Sequence, residues 1–131
     1  MKSKIICSLA VLFLSGVVHG SPAEILARYQ QLGAGPFDPN PGRTAWVQEH
    51  RPSNSVNPRS CATCHGTDLT RPGKHAKTGK VIEPLAVSAN PARVSDAKKV
   101  EKWFRRNCRW TLGRECTPQE KGDIVRYIIS Q

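Results

Sequence analysis

The chain has 131 residues, 20 lysines and arginines against 10 acids, and ten glycines with ten prolines. That length holds one small domain, and the net charge of +10 favours acidic partners, with no nucleic acid expected among them. The modest core that such a chain can bury leaves room for a covalently attached cofactor to replace part of it.

Residues 1–20 read as a signal peptide: Lys2 and Lys4, an apolar run from Ile5 to Val18, then Gly20 at a permissive cleavage position. The run is short for a transmembrane span, and Cys7 lies inside the leader. Loss of Lys2 and Lys4 takes the net charge from +10 to +8, and leaves residues 21–131 as an exported, periplasmic domain. Cys61, Cys64, Cys108 and Cys116 remain, and in an oxidising compartment those not tied to a cofactor should pair.

The mature chain opens with Ser21, Pro22 and Glu24, the elements of a capping box, and Ile25, Leu26, Tyr29 and Leu32 then share one helical face before Gly33. A Pro/Gly-rich connection leads to a short amphipathic turn around "RTAWVQEH" and a polar loop. Residues 66–91 are expected to be an irregular wrap without strands. Two helices close the chain. One runs from a cap at Ser95 to about Cys108, with Val100, Trp103 and Phe104 on one face; the other starts at the capping box of Thr117 and Glu120. The fold class is therefore all-α.

The chemistry begins at "CATCHG". Cys61, Cys64 and His65 form C-x-x-C-H, the attachment pattern for haem c: two thiols for the haem vinyl groups and a histidine for the proximal side of the iron. A thioredoxin-type reading would need a βαβ context, and a zinc site a better-spaced second ligand pair than Cys108 and Cys116. His65 should donate its other ring nitrogen to a carbonyl, with those near Pro72 and Pro84 as candidates.

The far side of the iron is the harder question, because Met1 is the only methionine and leaves with the leader. His50, His75, Asn90, Asn107, a lysine amine or no ligand at all remain. His50 and His75 sit on polar segments, and Asn90 opens an Asn-Pro turn. Asn107 lies at i+7 from Val100 on the apolar stripe of its helix, where it reads either as a ligand or as a helix C-cap. Cys108 and Cys116 can close the short loop "CRWTLGREC" beside it. Trp103 and Phe104 are candidate pocket walls or plain core; Arg105, Arg106 and Arg109 are a solvated basic face, or a set of partners for propionates or for an acidic protein.

Residues 60–128, with CATCHG, TGKxIxPLA, EKWFxRNC and GREC, strongly resemble the sphaeroides haem protein family, small oxygen-binding cytochromes c. The resemblance implies a class I cytochrome c-type fold with one covalent haem c. It also implies Asn107 as the distal ligand, a Cys108–Cys116 disulfide, and a dihaem cytochrome c linked to a membrane cytochrome b as electron donors. An amide oxygen is a hard, weak donor that suits ferric better than ferrous iron. Reduction is therefore expected to release Asn107 and admit O2, NO or CO. A plain electron carrier with a permanently six-coordinate haem is the alternative, and both an oxygen- or peroxide-reducing protein and a non-enzymatic cytochrome fit these residues.

Overall fold

The computed structural model describes residues 20–131, so the leader read at residues 1–20 falls almost wholly outside the described residues. Helix α1 (Pro22–Gln31) begins as its sequence dictates: the Ser21 hydroxyl accepts from the Glu24 amide and the Glu24 carboxylate accepts from the Ser21 amide, at 3.3 and 3.0 Å. Ile25 and Tyr29 are buried, but Leu32 lies beyond the last turn and is exposed, so it does not extend that face.

The segment read as a short turn is a nine-residue helix, α2 (Pro39–Val47), beginning upstream of "RTAWVQEH". Asp38 caps it by accepting from the Asn40 amide at 2.8 Å. Pro39 and Pro41 fall in the first turn, where a missing N–H leaves no intrahelical bond unmade. Gly42 lets α2 lie against α5 (Pro118–Ile129): a Cβ there would collide with the Asp123 carbonyl. Helix α5 has the expected capping box, with Thr117 Oγ1 accepting from Glu120 N at 3.2 Å and the Glu120 carboxylate accepting from Thr117 N at 2.8 Å.

Between them lie α3 (Ala62–His65), a single turn made by the cysteine motif, and a hairpin of β1 (Gly73–Lys74) and β2 (Val81–Ile82). The strands are antiparallel, with Gly73 opposite Ile82 and Lys74 opposite Val81. Two-residue strands cannot display an alternating pattern, which is why the expected irregular wrap hid them. Gly73 packs on the Cys64 carbonyl and the His65 Cα, so the hairpin braces the motif turn from behind.

Helix α4 (Ala97–Leu112) differs from its expected span at both ends. Asp96, not Ser95, is the cap, accepting from the Lys99 amide at 3.0 Å, while the Ser95 hydroxyl donates to the Ala92 carbonyl. The helix passes through Cys108 to Leu112, because no breaker intervenes before Gly113, which turns left-handed at φ +74°. The core falls in two clusters. Trp46, Leu69, Ala86, Ile124, Tyr127 and Ile128 form one; Ile25, Tyr29 and Val125 form the other; Phe104 packs against both.

Candidate haem-binding site

Cys61 and Cys64 carry free thiols on the turn that ends at His65. Burial, which disfavours the thiolate, is the main reason that the Cys61 thiol is pushed up to about 11, with the neighbouring Cys64 adding to the rise. His65 is lowered to about 4, mainly by burial and then by the charge of Arg93, so its ring is neutral and able to ligate at physiological pH. Trp46 from α2 lies 5.5 Å from the His65 ring, centroid to centroid, and its indole N–H donates to the Gly66 carbonyl at 2.9 Å. Arg93 donates to the carbonyls of Pro84 and Glu83 at 2.9 and 3.0 Å. Among the described residues no hydrogen bond joins His65 to a carbonyl beside Pro72 or Pro84. The hairpin reaches the site as well: the Ala76 amide donates to Cys64 Sγ at 3.4 Å.

The other candidate ligands are distributed very differently. His75 is exposed, and its Nδ1 accepts from the Lys77 and Thr78 amides at 3.3 and 3.1 Å, closing the hairpin turn. His50 is held through its backbone to Arg59, in an isolated bridge with two bonds of 2.8 Å. Asn90 donates to the Pro84 carbonyl at 3.4 Å.

Asn107 sits inside α4, a full turn before Leu112, which removes its reading as a C-cap. It is also not buried, contrary to its expected place on the apolar stripe. The helical row divides in two: Val100 and Phe104 turn toward the core clusters, whereas Trp103, Asn107 and Trp110, spaced i, i+4 and i+7, lie on the exposed flank. Trp103 is 45% and Trp110 37% exposed, while Trp46 is 4%. No side-chain hydrogen bond engages the Asn107 amide among the described residues. Trp103 and Phe104, paired in the sequence reading, therefore part: Phe104 is core and Trp103 is surface.

The three arginines part as well. Arg105 joins Arg28, Lys98 and Lys102 around a shallow groove beside α1. Arg106 stacks on the Trp103 ring at 5.1 Å, and Arg109 pairs with Glu115 at 2.7 Å on the exposed surface. Behind this flank Cys108 and Cys116, both buried, are joined by a disulfide with Cα atoms 5.6 Å apart.

Sequence reasoning missed Trp46, Trp110, Arg59 and Arg93. Trp110 was legible, three residues past Asn107 on the same helical row, had α4 been taken to its true end. The other three act through contacts between distant segments and left no local signal.

These features fit haem. Two thiols and a neutral imidazole share one braced turn, Cys61 and Ala62 pack on the same core cluster as Phe104, and α4 presents a flank of two exposed tryptophans that a broad apolar group would cover.

A domain family of unknown function, DUF1924, matches residues 33–128. The chain is 42% identical over 127 residues to the cytochrome c-type protein SHP of Cereibacter sphaeroides, covering 92% of this chain and 97% of that protein. The chain belongs to the SHP family of c-type cytochromes. Its cofactor is accordingly haem c, and its fold is the all-α class I cytochrome c type, as expected. The structure of oxidised SHP, described as an oxygen-binding cytochrome c, matches with a TM-score of 0.79 at 43% identity, covering 86% of this chain and 98% of that one. Cytochrome c'' of Methylophilus methylotrophus is more distant, 39% identical over 72 residues, 55% of this chain and 50% of that protein. Its solution structure, reported for insights into haem-ligand detachment, matches with a TM-score of 0.74 at 26% identity, covering 84% of this chain and 93% of that one. Among the described residues no helix is long and apolar enough to cross a membrane.

Proposed function

We propose that this SHP-type cytochrome is a periplasmic monohaem protein in which Asn107 is a removable distal ligand. Haem c, when bound, would supply a redox-active iron. Cys61 and Cys64 hold the group by thioether bonds, and the neutral His65 gives a ring nitrogen to its proximal side. The Asn107 amide oxygen would serve as its distal ligand in the oxidised protein. As a weak, neutral donor better suited to ferric than ferrous iron, Asn107 would be released on reduction, which would let O2, NO or CO bind in its place. The withdrawn amide keeps its N–H donors for a hydrogen bond to the incoming molecule. Electrons come from a dihaem cytochrome c linked to a membrane cytochrome b, attracted by the basic charge of this chain.

The observation that carries this reading is the exposed Trp103–Asn107–Trp110 flank, in which the one polar residue has an amide without a side-chain partner among the described residues. Two likenesses support it: to SHP, described as oxygen-binding, and to cytochrome c'', described in terms of ligand detachment. Optical spectra of the oxidised and reduced protein, with and without carbon monoxide, test it. The expected result is a six-coordinate oxidised form and a reduced form that takes up carbon monoxide. A reduced form that stays six-coordinate and ignores the gas would make the protein a plain electron carrier.

A further inference from the structure

The last turn of α4 is held by a residue that belongs to neither α4 nor the disulfide. An α-helix leaves its final carbonyls without intrahelical donors. In α4 the Arg109 carbonyl accepts from the Gly113 amide at 3.2 Å, but the next one, at Trp110, lies past the reach of that turn. Arg59 Nη1 donates to it at 3.0 Å, and the same guanidinium lies 4.5 Å from the centroid of the Trp110 ring. A cation at this end of the helix also opposes the partial negative charge of its dipole.

The arginine is itself fixed. Its amide and carbonyl exchange two 2.8 Å bonds with those of His50, closing the loop 51–58, and the buried Pro52 of that loop abuts Gly113. Arg59 stands two residues before Cys61, and the Ser60 between them is buried, its amide donating to Thr63 Oγ1 at 2.9 Å. One side chain thus joins the segment entering the attachment motif to the helix turn just beyond Asn107.

We propose that Arg59 is a positioning residue for Asn107: by capping α4 from the attachment segment, it holds the distal amide at the haem in the oxidised protein. The proposal rests on the reading of Asn107 as a ligand. An amide is a weak donor, so its occupancy depends on how little freedom its helix has. Arg59 touches no reacting atom; it acts through the helix end.

The test uses the oxidised holoprotein and imidazole at a pH above the probe's own pKa, where it is neutral; it must displace Asn107 and is then indifferent to loss of the arginine charge. An apparent affinity scales with the fraction of protein whose site is open. Arg59→Ala is expected to tighten imidazole binding about fivefold, the effect of losing roughly one interaction of this size. It should also speed amide exchange at residues 111–114 while leaving α1 and α5 unchanged. Arg59→Lys, which keeps a donor and a cation, should restore most of both. In an Asn107→Ala background, Arg59→Ala should no longer alter imidazole affinity, because there is no ligand left to position. Unchanged exchange at residues 111–114, unchanged imidazole affinity, or an effect that persists without Asn107 each overturns the proposal. Failure of the underlying reading looks different: Asn107→Ala alone would leave the oxidised spectrum and imidazole affinity as they are in the parent protein.

Discussion

The two sides of the haem site are built on opposite principles. On the near side, protein packs on protein: His65 is half-buried and neutral, Trp46 lies against it and bonds to Gly66, and Gly73 brings the hairpin onto the backbone of the motif turn. On the side proposed for the removable ligand, a single helix presents an open row of two tryptophans and an amide, fixed from behind by the disulfide and at its end by Arg59. The near side is complete without a cofactor, whereas the far side gains its packing partner from one. The proposed removable ligand would suit this division, since the attachment must stay fixed while a displaceable ligand must move.

The strongest way to break the contrast is at the attachment itself. Replacing both Cys61 and Cys64 with alanine should abolish haem that resists acid–acetone extraction, measured by the haemochrome spectrum of the precipitated protein. Trp103→Ala should leave that covalent haem in full. Retention of covalent haem in the double variant would remove the near side as the anchoring side.

Next in size is the Cys108–Cys116 bridge, which braces only the far side. Replacing both residues with serine should cost about 2–3 kcal/mol of stability, the range for closing so short a loop. Chemical denaturation followed by far-ultraviolet dichroism reads the loss. The same variant should speed amide exchange in the second half of α4 while leaving α2 and the motif turn unchanged.

A smaller effect separates the tryptophans. Trp46→Phe removes a buried donor and leaves the Gly66 carbonyl unmatched, at a cost of about 1–2 kcal/mol. Trp103→Phe, on the open flank, should change stability by less than about 0.5 kcal/mol. Equal losses at the two positions would mean that the flanks are not built differently.

The smallest expected effect lies at the join between α4 and α5. Hydrogen bonds from Arg114 are the largest cause that holds Glu120 down, from an ordinary 4.5 to about 2. Its contribution to stability is therefore complete above about pH 4.5 and is lost as the pH falls toward 2. Arg114→Ala should flatten the acid side of the stability curve over that window by lowering the plateau above about pH 4.5 toward the acid value, and the drop should be small because the pair is partly exposed to solvent.

Much of this was written locally in the chain. The boxes at Ser21 and Thr117 need only four residues each, and both form as read. Cys61, Cys64 and His65 are contiguous enough for their pattern to carry the cofactor. The misread parts are those decided at a distance. Helix α2 begins among prolines, and its stability comes from a backbone approach at Gly42 that only α5 can provide. The hairpin is too short for periodicity. In α4 the error was one of counting: stopping at Cys108 made Asn107 a helix end and hid Trp110. The helical row through Val100 also broadens along its length, so that spacing alone could not say which edge faces the core.

The burial of the Cys61 thiol has a consequence for biogenesis. Four cysteines in an oxidising compartment can pair in three ways, and pairing of Cys61 with Cys64 would consume the sulfurs that the cofactor needs. Thiol–disulfide exchange proceeds through the thiolate, and a thiol pushed up to about 11 is almost entirely protonated at neutral pH. In the folded chain Cys61 is therefore a poor attacking thiol, while Cys108 and Cys116 are already joined in the interior. Folding ahead of haem loading would withdraw Cys108 and Cys116 from mispairing, and leave the maturation machinery one pair to find.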